Sequence, residues 1–316
     1  MKRLVAPAAL VVAVVLAACV PEVISGGSGS FAIGTAGHNV AVGDVPRTYL
    51  LHVPARRPLN TSGTVRPYSL VIVLHGSSGS AEEIQATTRM DSLSESARFL
   101  VAYPNGLKGG GGLFPSDWNA GTCCGAANRE NIDDLGFISA IITQVSKTLA
   151  VDPKRVYVAG FSDGGRMAYH VACQLSPLIA AVAVVSGSLK DDACAPTKGV
   201  PVLAIHGTAD DEVPYNDDAA TPPAIAPTGV GATMSPSLKF WLSRNGCSTA
   251  VVSRRSTSVV RTDFTTCVGG EVTFYSIEGG THAWPGDPGG AGSRPPMSEL
   301  NASAVISAFF ALKSRA

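Results

Sequence analysis

A serine flanked by glycines is the strongest candidate for chemistry in this chain. Ser162 stands in Gly160-Phe-Ser-Asp-Gly164, after the apolar run 156–159 and before a stretch of helical spacing that starts at Arg166. A strand, a sharp turn and a helix form the context in which G-x-S-x-G predicts a nucleophile elbow. Side chains at Gly160 or Gly164 would collide with the neighbouring strand and helix, which explains the glycines. An ordinary glycine-rich turn is the alternative, and the flanking elements favour Ser162 as a nucleophile.

A serine nucleophile needs a base that takes its proton and a carboxylate that orients the base. Asp210 and His282 follow Ser162 in that order, each in a loop just after a predicted strand. The order Ser, Asp, His is that of α/β-hydrolases, and parallel strands bring such loops to one edge of the sheet. Asp211 and Glu212 rival Asp210 by proximity alone. We predict Asp210 as the orienting carboxylate because it stands nearest the strand end.

The other five histidines are weaker candidates for the base. His38 and His52 fall in the N-terminal strand region and precede the serine. His75 and His206 each begin a His-Gly turn, where we expect structural hydrogen bonds, and His170 falls on the helix after the elbow. His282 is therefore the predicted base.

Acyl chemistry at a serine also needs N–H groups where negative charge develops. One is expected from Asp163, the residue after the nucleophile. The other is expected from the loop after the apolar strand Tyr68–Leu74, where His75-Gly76-Ser77 makes Ser77 the natural donor. These two residues are the predicted oxyanion hole.

Strands and helices alternate along the chain, which predicts an α/β fold with a mainly parallel central sheet and helices on both faces. Continuous apolar runs such as 68–74 are typical of strands covered on both faces. The long glycine-rich segment 107–129 is expected to be functional or disordered. Predicted strands are a pair within 40–53, then 68–74, 100–104, the strand before the elbow, 179–185, 201–205 and 271–277; predicted helices are 81–99, one capped by Asn131 or Asp133 and running to about 150, the elbow helix, 234–244 and 297–312.

Composition excludes several functions. Lys plus Arg and Asp plus Glu both number 24, so there is no net charge to recruit nucleic acid. Charged residues make up 15% of the chain, below the roughly 25% of an average soluble protein, which favours an exported protein. The phosphate-binding, zinc-protease and dinucleotide-binding motifs are absent from the sequence, so no cofactor is implied.

The N-terminus predicts export. Met1-Lys-Arg3 and an apolar stretch from Leu4 to Ala18 suit a signal peptide and are too short for a membrane span. Leu16-Ala-Ala-Cys19 resembles a bacterial lipobox, so Cys19 is predicted to carry lipid and anchor the protein to the outer face of a membrane; a plain secretory signal is the alternative. The predicted parts are the signal 1–18, a lipidated tether 19–36 and one catalytic domain 37–316.

Six cysteines remain after Cys19, and an even number in an exported chain favours disulfides. Zinc spacing is absent, so a metal site is the weaker interpretation. The sequence alone allows 15 connectivities. We hypothesise the local pairs Cys173–Cys194 and Cys247–Cys267, which leaves Cys123 and Cys124 joined to each other or as free thiols.

Taken together, these motifs resemble the esterase/poly(3-hydroxybutyrate) depolymerase family, which includes feruloyl and acetylxylan esterases. The resemblance runs from about Arg47 to Leu312. It implies an α/β-hydrolase fold, a secreted serine ester hydrolase, the triad proposed above, and Trp118, Tyr215 and Trp284 as residues lining an acyl or aromatic site, with core packing or loop stapling as their alternative. Its blocks are His75-Gly-Ser77, Trp118-Asn119 with Cys123-Cys-Gly125, Asp133-Asp-x-Gly-Phe137, Gly160 to Gly165, His206 to Asp210 with Val213-Pro-Tyr215, and Gly280 to Gly286.

The predicted function is hydrolysis of feruloyl or acetyl carbohydrate esters or of hydroxyalkanoate esters through an acyl-enzyme. The absence of an appended substrate-binding module in this sequence disfavours attack on insoluble polymer. Transfer of the acyl group to a sugar or lipid alcohol is one alternative, and a non-catalytic surface-binding lipoprotein is another. Expected partners are a small or polymeric ester and, through the lipid alone, a membrane.

Overall fold

The computed structural model describes residues 31–108, 116–216, 235–287, 289 and 295–315. The predicted signal segment, Cys19 and most of the predicted tether lie outside these ranges. None of the helices within them combines the length and the apolar character needed to cross a bilayer. The first strand begins at Gly34, inside the segment assigned to the tether, because residues 34–42 pair along their whole length with the next strand.

Twelve strands and seven α-helices lie within the described residues. The strands are β1 Gly34–Val42, β2 Val45–Val53, β3 Tyr68–Leu74, β4 Leu100–Pro104, β5 Leu107–Lys108, β6 Ser116–Asp117, β7 Val151–Phe161, β8 Ala181–Val185, β9 Val202–Gly207, β10 Thr249–Arg254, β11 Val259–Thr265 and β12 Val272–Ile277. The helices are α1 Ala81–Thr88, α2 Met90–Ala97, α3 Gly125–Arg129, α4 Asp134–Thr148, α5 Asp163–Gln174, α6 Pro236–Asn245 and α7 Ala302–Ala311.

Ten of the described strands form one sheet in the order β1-β2-β4-β3-β7-β8-β9-β12-β11-β10. The six central strands, from β4 to β12 in that order, are parallel to one another. The strands β1 and β2 extend the sheet antiparallel at one edge, and β11 and β10 do so at the other. The predicted mainly parallel sheet is confirmed.

Two apolar cores lie on the two faces of this sheet. All seven residues of β3 are buried, and they alternate between the cores: Leu70 and Ile72 face one, whereas Val71 and Val73 face the other. Residues of α4, α5 and α6 pack in the first core, and residues of α1, α2 and α7 pack in the second. Because helices cover both faces of the sheet, the side chains on both sides of the central strands are buried, which is why these strands are apolar along their length.

The topology brings the candidate residues to one edge of the sheet. Residues Leu74 of β3 and Gly160 of β7 are paired, as are Ile277 of β12 and Gly207 of β9. Because these four strands are parallel, the loops that follow them start side by side. Those loops hold the turn after β3, the elbow serine, the candidate carboxylate and the candidate base.

Some elements differ from the expected ones. The single helix predicted for 81–99 is two helices, because Arg89 adopts a left-handed backbone (φ 49°) that ends α1. The predicted closing helix 297–312 is a 3-10 turn, Met297–Glu299, followed by α7. The strands β10 and β11 were not predicted. The strand β10 is almost entirely exposed and carries no apolar periodicity, and β11 alternates only in part between buried and half-buried positions. Of the two candidate caps of α4, Asp133 is the cap, since its side chain accepts the Gly136 N–H.

Candidate functional site: a serine, histidine and aspartate at the sheet edge

Ser162 lies on the sharp turn between β7 and α5. Its backbone has φ 54° and ψ −119°, a conformation that residues with a side chain rarely adopt and that surrounding structure must enforce. A Cβ at Gly160 would overlap the backbone of Gly164, and one at Gly164 would overlap the carbonyl groups of Leu74 and His75. The strained turn and the need for both glycines agree with the elbow predicted from the sequence.

The structure brings the three predicted residues of the triad together. His282 Nε2 lies 2.9 Å from Ser162 Oγ, and His282 Nδ1 lies 2.9 Å from both carboxylate oxygens of Asp210. All three side chains are largely withdrawn from solvent. Since a carboxylate only accepts, Nδ1 carries the proton, and Nε2 is left to accept the serine proton. This arrangement is able to remove the proton from the Ser162 hydroxyl as its oxygen attacks a substrate.

The Asp210 carboxylate is surrounded by donors. Besides His282, the N–H groups of Glu212 and Val213 donate to it at 3.1 and 2.9 Å, and His206 Nε2 lies 3.3 Å away. Burial alone would raise the pKa of Asp210, but the hydrogen bonds from His206 and His282 and from the Val213 N–H outweigh it. They hold the pKa well below its ordinary value, so Asp210 is ionised at neutral pH.

The two neighbouring acids occupy different positions. Asp211 is exposed. The Glu212 carboxylate lies 3.7 Å from His282 Nε2, the nitrogen on the Ser162 side, and its side chain is 70% exposed. A carboxylate there cannot orient Nδ1. The geometry therefore favours Asp210 over both rivals as the orienting group.

The two predicted oxyanion donors come from the turn after β3 and from the start of α5. Ser77 lines a pocket together with Ser162 and His282. Asp163 is the first residue of α5, so its N–H has no acceptor within the helix. Neither N–H donates to another described residue. Both groups are free to hydrogen-bond a ligand.

The pocket has a volume of about 310 Å³ and a mixed lining. Its apolar wall includes Phe161 and Trp284, and Phe161 also packs against the His282 ring at 4.9 Å between centroids. Three carboxylates stand around it: Glu83, Glu212 and Asp287. Among the described residues of its lining there is no lysine or arginine.

The three predicted substrate-lining aromatics have different roles. Trp284 lines the pocket, and its Nε1 donates to Ser303 Oγ at 3.0 Å. Trp118 is fully buried away from the pocket, and its Nε1 donates to the His75 carbonyl at 2.9 Å. Tyr215 also lies outside the pocket lining, with its hydroxyl on Ser276 Oγ at 2.8 Å. Trp118 thus staples loops, the alternative that the sequence left open, because its polar atom found a backbone partner inside the core.

The described part of the chain contains three disulfides. The structure joins Cys173 to Cys194 and Cys247 to Cys267, as hypothesised, and it joins Cys123 to Cys124, which was one of the two open alternatives. Two cysteine–aspartate groups, Cys123, Cys124 and Asp163 and then Cys173, Asp191 and Cys194, have ligand atoms near one another. Their sulfurs are in disulfides and are not the thiolates that metals bind, so neither group is a metal site as it stands.

Two polar residues beside the site were not predicted from the sequence. Arg166 Nη1 donates to the Asp163 carboxylate at 2.5 Å and approaches the sulfurs of Cys123 and Cys124 at 3.6 and 3.8 Å. Burial raises the pKa of Asp163, and Arg166 opposes that shift. The i, i+3 spacing of Asp163 and Arg166 on a helix could have indicated this pair. Asp117, which contacts Ser77, carries no such local signal.

His75 and His206 make the structural hydrogen bonds that the sequence analysis expected of them. His75 is buried, its Nε2 accepts the Gly106 N–H at 2.9 Å, and its Nδ1 donates to the Gly76 carbonyl at 2.7 Å. His206 Nε2 donates to the Val213 carbonyl at 2.8 Å and so supports the loop that carries the candidate carboxylate. Both ring nitrogens of His75 and Nε2 of His206 therefore bond backbone groups.

This chain is similar to known proteins in its sequence and in its fold. The profile of the family described as Esterase PHB depolymerase matches residues 51–227. The chain is 30% identical over 269 residues to "Putative esterase NocK" of Nocardia uniformis subsp. tsuyamanensis, covering 80% of this chain and 74% of that protein. It is 32% identical over 221 residues to Feruloyl esterase B of Piromyces equi, covering 68% of this chain and only 39% of that protein.

A solved structure adds the fold. The acetyl xylan esterase from Aspergillus awamori superposes with a TM-score of 0.56 at 17% identity, covering 79% of this chain and 95% of that one. At so low an identity the likeness concerns the fold alone. The sheet described above, with its helices on both faces, is an α/β-hydrolase fold.

Proposed function

We propose that this chain, which belongs to the esterase/poly(3-hydroxybutyrate) depolymerase family and is a carboxylic ester hydrolase, acts through Ser162, His282 and Asp210. The observation that carries the proposal is the pair of contacts made by one imidazole. His282 reaches Ser162 Oγ with one nitrogen and Asp210 with the other, each at 2.9 Å. Hydrogen-bonded in this order, the three groups meet the requirement for nucleophilic catalysis by serine.

In the proposed reaction, Ser162 Oγ attacks the ester carbonyl while its proton passes to His282 Nε2. The resulting imidazolium is stabilised by the ionised Asp210. His282 then gives the proton to the leaving alcohol oxygen, and the carbonyl re-forms as an acyl-enzyme. Water adds to that acyl group with His282 again as base, and collapse of the second intermediate returns the proton to Ser162 and releases the acid.

Negative charge on the carbonyl oxygen is proposed to be held by the N–H groups of Ser77 and Asp163. Both groups lack a described partner, and both belong to elements that meet at the Ser162 turn. Donors that are already oriented cost no reorganisation when the charge develops. In this proposal the turn after β3 serves to place the Ser77 N–H beside the carbonyl oxygen of the ester.

The proposed substrates are feruloyl or acetyl esters of carbohydrates, with hydroxyalkanoate esters as the second class. One relative is named a feruloyl esterase, and the Phe161 and Trp284 wall suits a flat or small acyl group. The three carboxylates around the pocket disfavour an ester that carries its own negative charge.

Export and lipid attachment at Cys19 are proposed from the N-terminal sequence. The three disulfides support the export part, because such bonds persist in oxidising compartments. Growth of expressing cells with a clickable fatty acid tests the anchor: wild type should carry the label and Cys19→Ser should not. A wild-type protein without label would reject lipidation and leave the ester chemistry untouched.

A fluorophosphonate probe tests the nucleophile. Wild type should be labelled and should hydrolyse a panel of feruloyl, acetyl and 3-hydroxybutyrate esters, whereas Ser162→Ala should do neither. Equal labelling of both proteins would refute the assignment. Running the panel with an added alcohol shows whether acyl transfer competes with hydrolysis, because transfer yields a new ester in place of the free acid.

A further inference from the structure

The segment Ser116 to Trp118 contacts the turn after β3 at three points. The Ser116 carbonyl accepts the Ser78 N–H at 2.8 Å, and Trp118 Nε1 donates to the His75 carbonyl at 2.9 Å. Between them, the Asp117 carboxylate accepts the Ser77 hydroxyl at 2.9 Å. Three consecutive residues therefore hold three positions of the turn that carries a proposed oxyanion donor.

Asp117 is itself fixed by what surrounds it. It is buried, with 5% of its surface exposed. One carboxylate oxygen accepts from Ser77 and the other accepts the Ala126 N–H at 3.4 Å. Gly125 lies against this carboxylate so closely that a Cβ would overlap it, and Gly125 has φ 56°. Both oxygens are thus used as acceptors in a site shaped for a carboxylate.

The Ser77 side chain is the only part of that residue for which a hydrogen bond is seen among the described residues. Ser77 is exposed to the pocket, and its N–H has no acceptor among the residues that the structure describes. The peptide that carries this N–H is held at its Gly76 carbonyl by His75 Nδ1 and by the Gly79 N–H, at 2.7 and 3.1 Å. The bond from the Ser77 hydroxyl to Asp117 adds an anchor on the other side of the N–H. An oxyanion donor must stay within about 0.5 Å of its place to be effective, and loss of one costs about 10²–10³ in kcat.

We propose that Asp117 is a positioning residue of this esterase, which fixes the Ser77 N–H for the developing oxyanion by accepting the Ser77 hydroxyl. The inference rests on the proposed function of Ser77 and deepens it. Asp117 touches neither the ester nor the triad. Its effect should therefore fall on stabilisation of the carbonyl oxygen and leave the proton transfer by His282 unchanged.

The test compares 4-nitrophenyl acetate with its thionoester, in which C=S replaces C=O. Sulfur is a weak hydrogen-bond acceptor, so the thionoester gains little from the donors. Ser77→Ala keeps the N–H and removes the hydroxyl; Asp117→Asn leaves one acceptor for two donors. We expect each variant to lose about 10- to 100-fold in kcat/KM for the oxygen ester and less than about threefold for the thionoester.

A double variant and two controls complete the experiment. Ser77→Ala combined with Asp117→Asn should lose no more than the worse single variant, because both break one tether. Asp133→Asn, which changes another carboxylate that accepts a backbone N–H, should leave the ratio of the two rates at the wild-type value. Equal losses on both esters, or additive losses in the double variant, would overturn the proposal. Activity that survives in Ser162→Ala would instead reject the proposed function itself.

Discussion

Replacing Asp210 with Asn should abolish most of the activity while Asp211→Asn should leave it intact. The carboxylate of Asp210 lies 2.9 Å from His282 Nδ1, and the imidazole becomes charged when it takes the serine proton. At an effective dielectric constant of about 20, opposite unit charges at this distance interact by about 5 to 6 kcal/mol. At about 1.4 kcal/mol per tenfold change in rate, the upper limit of the loss is about 10⁴.

Loss of the negative charge is one consequence of the Asp210→Asn change, and a change in the tautomer of His282 is another. An Asn side chain at 210 is able to donate to Nδ1, which moves the ring proton to Nε2 and removes the acceptor for Ser162 Oγ. Both consequences act on the same step. We therefore expect kcat/KM to fall by about 10³–10⁴ in Asp210→Asn.

The assay is steady-state hydrolysis of 4-nitrophenyl acetate across pH, with circular dichroism on each variant to verify the fold. Asp211→Asn is the matched control, since Asp211 is exposed and one residue away, and it should stay within about twofold of wild type. Glu212→Gln should lose less than about tenfold, because its carboxylate is 70% exposed and lies on the Nε2 side. Asp210→Asn with more than a tenth of wild-type activity, or either neighbour with the larger loss, would refute the assignment.

Four further measurements follow from the structure. Gly160→Ala should destabilise the fold by about 3 kcal/mol or more in urea unfolding, because the new Cβ overlaps backbone that cannot move aside. Arg47→Met should cost about 3–5 kcal/mol, because it leaves the Asp134 carboxylate, 2.7 Å from Arg47, buried and unpaired; replacing both residues by apolar ones should recover part of that loss. The folded state holds the pKa of Asp210 below its ordinary value, so the ionised carboxylate stabilises the fold above about pH 4, the ordinary pKa of an aspartate. This stabilisation is lost as the pH falls from there through the lower pKa of the folded state. The stability difference between wild type and Asp210→Asn should accordingly be smaller at pH 3 than at pH 6. Glu212→Gln should raise the kcat/KM of an anionic hemisuccinate ester, relative to a neutral butyrate ester, by about two- to fivefold, and no change in that ratio would mean that the carboxylates around the pocket do not act on the acyl group.

The elements nearest the chemistry were predictable because local physics fixes them. The strand β3 runs from Tyr68 to Leu74 as predicted, because a short run that is apolar at all but one position is typical of a strand buried on both faces. The elbow was predictable because steric overlap at Gly160 and Gly164 acts within a few residues. Likewise Asp133 was among the predicted caps, because a cap bonds a backbone group three residues on.

The edges of the molecule were less predictable. Sequence periodicity missed β10 and β11. The strand β11 pairs with β12, and β10 pairs with β11 at the edge of the sheet. The helix predicted for 81–99 was broken at Arg89, whose left-handed backbone leaves no mark in residue type. Both cases involve positions where tertiary context overrides weak local preference.

By itself, the sequence determined that Ser162 would stand on a strained turn and that a carboxylate and a histidine would follow in the order of an esterase. Only the tertiary structure decided that Trp118 would point into the core, that Asp117 would reach Ser77, and that acids would surround the pocket. The physical reason is distance along the chain. A turn is governed by sterics among neighbours, whereas the 40 residues between Ser77 and Asp117 and the 120 between Ser162 and His282 are bridged only when the packed sheet brings its strand ends to one edge.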